Sequence, residues 1–191
     1  MSDTNLLLKP EAGYRSGEAG SFLLQMDDQS RLLLDAARGL TPEELEWQPA
    51  LGMNSIGMLI AHLAIAEAFW TQAGVLAMSK FDVRPVLGLG DDDDGMPLEP
   101  GGLAPASLRG KQLPYFEDLL ARSRSYLKEA AVTLTDPDLE RVITRARPDG
   151  SQRVVNIRWV LYHLLEHYSG HFGQILLLRH LHRATVPQAA K

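Results

Sequence analysis

The feature that most constrains this chain is one long helical stretch near its C-terminal end, NIRWVLYHLLEHYSGHFGQILLLRH (156–180). Its seven-residue seam runs Ile157, Val160, Leu164, His167, His171, Gln174, Leu178, Leu181. A helix with such a seam must bury it against other helices. Two imidazoles and an amide nevertheless stand at successive places where leucine is expected. Burying them costs free energy unless each finds a partner, and a metal ion satisfies two imidazoles at once. At 100° per residue, His171 lies within roughly 40° of the apolar centre of this helix, His167 about 80° away and His163 about 120° away. Residues i and i+4 stand roughly 6 Å apart along the axis, close enough to chelate one ion, whereas His163 and His171 are about 12 Å apart. The favoured pair is His167 with His171. The plainer alternative is a pair of core histidines hydrogen-bonded to neighbours. It weakens with a third histidine on another helix, and His62 is the one candidate. His180 and His182 are expected near a frayed, exposed helix end.

The other segments supply helices to pack against. Apolar residues recur at three- and four-residue spacing from about Arg15 to Arg38. Gly39 then fits a helix C-cap, and Thr41-Pro42-Glu43-Glu44 predicts an N-cap with proline at the first helical position. A short turn, Glu43 to Trp47, follows. Asn54 or Ser55 caps a second long helix running to about Met78. Its two apolar stripes make it either central or shared with a second copy of the chain in a homodimer. Residues 79–108, rich in Pro, Gly and Asp, read as a long loop without regular structure. The Asp91–Asp94 run within it reads as solvated, with an active-site lid as the minority view. With Gly95 at the required glycine, an EF-hand register puts Gly90 at position one and Gly101 at position twelve, so that motif fails. A third helix fits Leu113 to Leu134, then a turn at 135–138. An irregular segment or small hairpin over 140–155 has its turn at Pro148-Asp149-Gly150. The fold class is all-α, a single four-helix bundle over 1–191. The connection between helices two and three is long enough for a crossover, which would let them run parallel.

Composition narrows the chemistry. There is no cysteine among the 191 residues, which excludes disulfides, thiolate ligands and a cysteine nucleophile. The formal net charge of −5 and scattered Lys and Arg argue against a nucleic-acid partner. The N-terminus lacks a secretory pattern, and no apolar run was expected to span a membrane, so a cytoplasmic location is the default expectation. His163-Leu164-Leu165-Glu166-His167 matches the H-x-x-E-H pattern of inverted zinc proteases. Those sites need a downstream ligand, commonly glutamate, and no Asp or Glu follows Glu166. The protease reading is rejected.

NSIGMLIAHLAIAEAFW (54–70), EHYSGHFGQI (166–175) and LTPEELEWQP (40–49) together resemble the DinB/YfiT-like superfamily. The shared pattern is a histidine early in helix two and H-x-x-x-H-x-G-Q in helix four. The resemblance implies a four-helix bundle with a long crossover and a metal triad at His62, His167 and His171, with zinc or nickel and water completing the coordination. It also implies a thiol-dependent S-transferase using a low-molecular-weight thiol of the bacillithiol, mycothiol or glutathione type, or an isomerase such as that for maleylpyruvate. The sequence departs at Phe172, where some relatives carry a charged residue, and in the length and acidity of 79–108.

Three neutral imidazoles with an open position suit a catalytic metal, which favours thiolate or hydroxide near neutral pH. The leading expectation is thiol S-transfer to a small-molecule substrate. The alternatives are a metal-dependent hydrolase, a non-catalytic stress protein whose metal staples two helices, and a dimeric scaffold. Gln174 is placed either to bond a ligand histidine or to cap backbone groups. Glu67 is a candidate base or support for a ligand, but it sits about 140° around the helix from His62. An ion pair with an arginine of another helix is the favoured role for Glu67. Trp159 and Tyr168 are expected to pack.

Overall fold

The structure is a computed structural model that describes residues 7–10, 12–96, 98–146 and 149–185. Four long helices form the bundle: α1 (Gly17–Ala37), α3 (Ile56–Trp70), α5 (Leu113–Ala131) and α7 (Ile157–Thr185). Shorter helices α2 (Pro42–Glu46), α4 (Arg84–Leu87) and α6 (Asp136–Leu139) lie in the connections. Strands β1 (Val142–Ala146) and β2 (Gln152–Asn156) pair antiparallel, Val142 opposite Asn156 and Ala146 opposite Gln152.

Each start has a local cause. Ser16 Oγ accepts from Ala19 N at 3.1 Å to begin α1, and Ser55 Oγ accepts from Met58 N at 3.2 Å to begin α3. Thr41 and Glu44 form a reciprocal capping box ahead of Pro42. Asn156 Oδ1 accepts from Trp159 N at 2.9 Å, aligning the first turn of α7. Caps of this kind each contribute about 1 kcal/mol.

Cross-contacts set the directions. Gly57 on α3 abuts Phe116 on α5, so closely that a Cβ at Gly57 would lie 2.8 Å from the Phe116 ring. Ten residues on, Glu67 bonds Arg124. Both helices therefore advance the same way, and the long 76–112 connection is the crossover that parallel neighbours require. Lys128 reaches Asp27 on α1 while Arg15 N donates to Val132 O, so α1 and α5 are antiparallel.

α3 is the central element. Both of its apolar stripes are buried within the one chain: Met58 and Leu59 are fully covered and Ile65 nearly so. The two-faced pattern is thus accounted for without a second copy. Ile56–Val75 is long and apolar enough to cross a membrane, contrary to the expectation of no such run. It is the buried core helix of the bundle.

Two segments differ from their sequence reading. The second helix stops being α-helical at Trp70 and continues as one π-helical turn, Thr71–Val75, not to Met78. Its terminal carbonyls are capped by arginines in and just before β1: Arg141 donates to Val75 O and Arg145 to Ala73 O, and Arg145 also reaches Met78 O in the turn that follows. Residues 79–108 are not a structureless loop. They contain α4 and bury Val83, Leu87, Leu89, Ala104 and Leu108 in the core. Gln48 ties the segment down, donating to Gly102 O at 3.3 Å and accepting from Ala104 N at 3.1 Å. The hairpin turn assigned to 148–150 falls partly on Pro148, outside the described residues.

Candidate metal centre

His62 sits two turns into α3, and His167 and His171 occupy successive turns of α7. The packing of α3 on α7 brings the three rings together. His62 Nε2 lies 3.1 Å from His167 Nε2, which lies 2.9 Å from His171 Nε2. One ligand atom from each can be chosen so that all lie within 4.8 Å of one another. Nitrogens bound at about 2.0–2.1 Å to one ion at angles of roughly 90–110° stand about 2.9–3.4 Å apart. The donor set can therefore hold a single ion.

Hydrogen bonds behind two of the rings fix their tautomers. His62 Nδ1–H donates to Asp94 Oδ2 at 2.7 Å, since an ionised carboxylate only accepts. His171 Nδ1–H donates to Gln174 Oε1 at 2.8 Å. Both Nε2 atoms are then bare lone pairs aimed at the third ring. A single proton on His167 Nε2 cannot serve both well, whereas a cation satisfies all three nitrogens. Burial, reinforced by the neighbouring imidazoles, pushes the His167 pKa down to about 3. Burial also lowers that of His171, partly opposed by its bond to Gln174. Both rings are neutral at pH 7, the form that binds metal.

Asp94 is the residue that sequence reasoning missed, and it corrects the picture of 91–94 as a solvated run. It is only 2% exposed. Its turn is built by Gly95 N donating to Asp92 O at 3.0 Å, with Gly95 at φ +69°, and by Asp94 Oδ1 accepting from Met96 N at 2.9 Å. A glycine directly after the acidic run was the available signal.

The remaining candidates fall as follows. Gln174 bonds a ring of the triad. Glu67 does not: it is fully buried and pairs bidentately with Arg124, at 2.8 and 2.9 Å. Arg124 also reaches Asp27 at 2.6 Å and lies over the Tyr168 ring. Glu67 is thus committed to an ion pair on a different face of α3. His163 stays out of the triad, bonded to Glu166 at 3.0 Å and stacked on Trp159 at 4.6 Å. His180 is exposed, but His182 is not at a frayed end, because α7 continues to Thr185 and His182 packs edge-on against Trp47.

Comparison with known proteins agrees with this architecture. No curated protein gave a significant match. A solved structure described as a conserved protein of locus from Enterococcus faecalis superimposes with a TM-score of 0.61 at 19% identity, covering 84% of this chain and 94% of that one. At that identity the likeness establishes the fold. The profile of a DinB/YfiT-like family described as Mycothiol-S-transferase matches residues 22–184, which takes in all of the bundle but the first turn of α1 and the last residue of α7, and includes all three histidines. This chain belongs to the mycothiol-S-transferase family.

Proposed function

We propose that the chain is a metal-dependent thiol S-transferase in which His62, His167 and His171 hold one divalent ion, zinc or nickel. The observation that carries this reading is the pair of Nε2 lone pairs, fixed by Asp94 and Gln174, converging on the third imidazole. Held there, the ion supplies a Lewis acid that favours the deprotonated form of a thiol near neutral pH.

The chain's own residues do the rest by holding and excluding. Asp94 orients His62 and makes its Nε2 a stronger donor. Gln174 does the same for His171 without adding charge. The side chain of His62 is 25% exposed, which leaves the site reachable by a small molecule and favours an open coordination position over a closed structural staple. One turn away, Met53, Leu59, Leu177 and Leu178 line an apolar hollow of about 300 Å³ beside Gln174. It suits the apolar body of an electrophilic substrate. The thiol gives up its proton to solvent, its sulfur forms a bond to an electrophilic carbon, and the bond from that carbon to the leaving group breaks, the leaving group keeping the bonding pair.

The test is single-turnover S-arylation of a low-molecular-weight thiol by 1-chloro-2,4-dinitrobenzene, with release of chloride, using zinc- or nickel-loaded protein. Acceleration that disappears in His167→Ala supports the transferase reading. Stoichiometric metal with no acceleration, across bacillithiol-, mycothiol- and glutathione-type thiols, leaves the metal as a staple between α3 and α7 and overturns it.

A further inference from the structure

A second cleft lies where the end of α3 meets the hairpin. It encloses about 540 Å³, within the size range of small-molecule sites. Its walls are aromatic: Phe69 meets Trp70 and Phe81 edge-to-face, with ring centroids 5.5 and 4.7 Å apart. Two arginines, Arg145 and Arg153, line the same space.

The two cations are differently engaged. Arg145 is anchored on Ala73 O in the π-helical turn and Met78 O beyond it, yet its Nε–H is buried without an acceptor among the described residues. Arg153 has no carboxylate partner among the described residues. Its guanidinium carbon lies 5.7 Å from the Trp70 ring and 6.0 Å from that of Trp159. Asp149, the one acid lining the cleft among the described residues, is exposed and accepts from Ser151 N and Oγ at 2.9 and 2.6 Å. A cation over indole faces, beside an apolar cavity, is matched by a molecule that is flat and apolar at one end and anionic at the other.

We propose that this cleft binds an aromatic monocarboxylate, its ring against Trp70 and Phe81 and its carboxylate on Arg153. The cleft is separate from the triad. Trp70 is eight residues beyond His62, about 12 Å along α3, and the His163 ring stands between, 5.6 Å from both the Trp70 and His167 ring centroids. Binding therefore does not rest on the metal.

Isothermal titration of the purified metal-loaded chain with 1-naphthylacetate tests this, with uncharged 1-naphthylacetamide as the control. Saturable one-to-one binding of the acid is expected, weakened about tenfold for the amide and about tenfold by Arg153→Gln, as for loss of one charge-assisted hydrogen bond. Chelation of the metal leaves the affinity unchanged. Absence of saturable binding, equal binding of acid and amide, or indifference to Arg153→Gln overturns the proposal. So does loss of binding on chelation, which would place the carboxylate on the triad instead.

Discussion

Asp94 Oδ2 lies 2.7 Å from Nδ1 of His62, so the crossover between two parallel helices ends up supporting a ring on the central one. Asp94→Ala removes that support without touching a ligand nitrogen. Metal affinity falls by about 10–100-fold, as is usual when the partner behind a metal-bound histidine is lost. Competition against a chromophoric chelator measures it. Unchanged affinity would mean that the helix alone fixes the His62 ring.

The Glu67–Arg124 pair is predicted to govern stability and not metal. Both side chains are almost wholly covered, and Arg124 is shared with Asp27. Glu67→Ala leaves a buried guanidinium short of its bidentate partner and costs about 3–5 kcal/mol in urea unfolding. Replacing both partners, Glu67→Leu with Arg124→Met, costs less than the single change. Metal stoichiometry of the folded variants stays at the wild-type value.

The low pKa of His167 carries a pH consequence for the metal-free chain. The unfolded ring titrates near 6.5 and the folded one near 3, so below about pH 6.5 the unfolded state binds more protons. Stability is full above that pH and falls as the pH drops toward 3. His171, also lowered, adds to the same window. Thermal unfolding between pH 6.5 and 5, above the main carboxylate range, shows this fall. It is shallower in His167→Gln; equal slopes would contradict the assignment.

These sites differ in how far the sequence revealed them. The four helices were legible because their apolar periodicity agrees with cap residues such as Ser55 and Asn156. His167 and His171 were legible because polar residues at seam positions of 157–181 have few other uses, and His62 followed as the one candidate on another helix. The parallel run of α3 and α5 was allowed by the length of their connection. Asp94 was not legible. It lies 32 residues from His62, in a run of four aspartates, and only the turn at Gly95 singles it out. The π-helical end of α3 was also hidden, because its capping arginines stand in and just before β1, about 70 residues away. Glu67 could be given the right kind of partner from its angle on the helix, but not the identity of Arg124.

Metal per chain on protein purified without a histidine tag, beside a His167→Ala, His171→Ala double variant, tests the central claim most directly. About one zinc or nickel ion per wild-type chain, lost in a variant that keeps its helical circular dichroism, is the predicted result. No bound metal in the wild type, and no uptake when zinc or nickel is supplied, would contradict it.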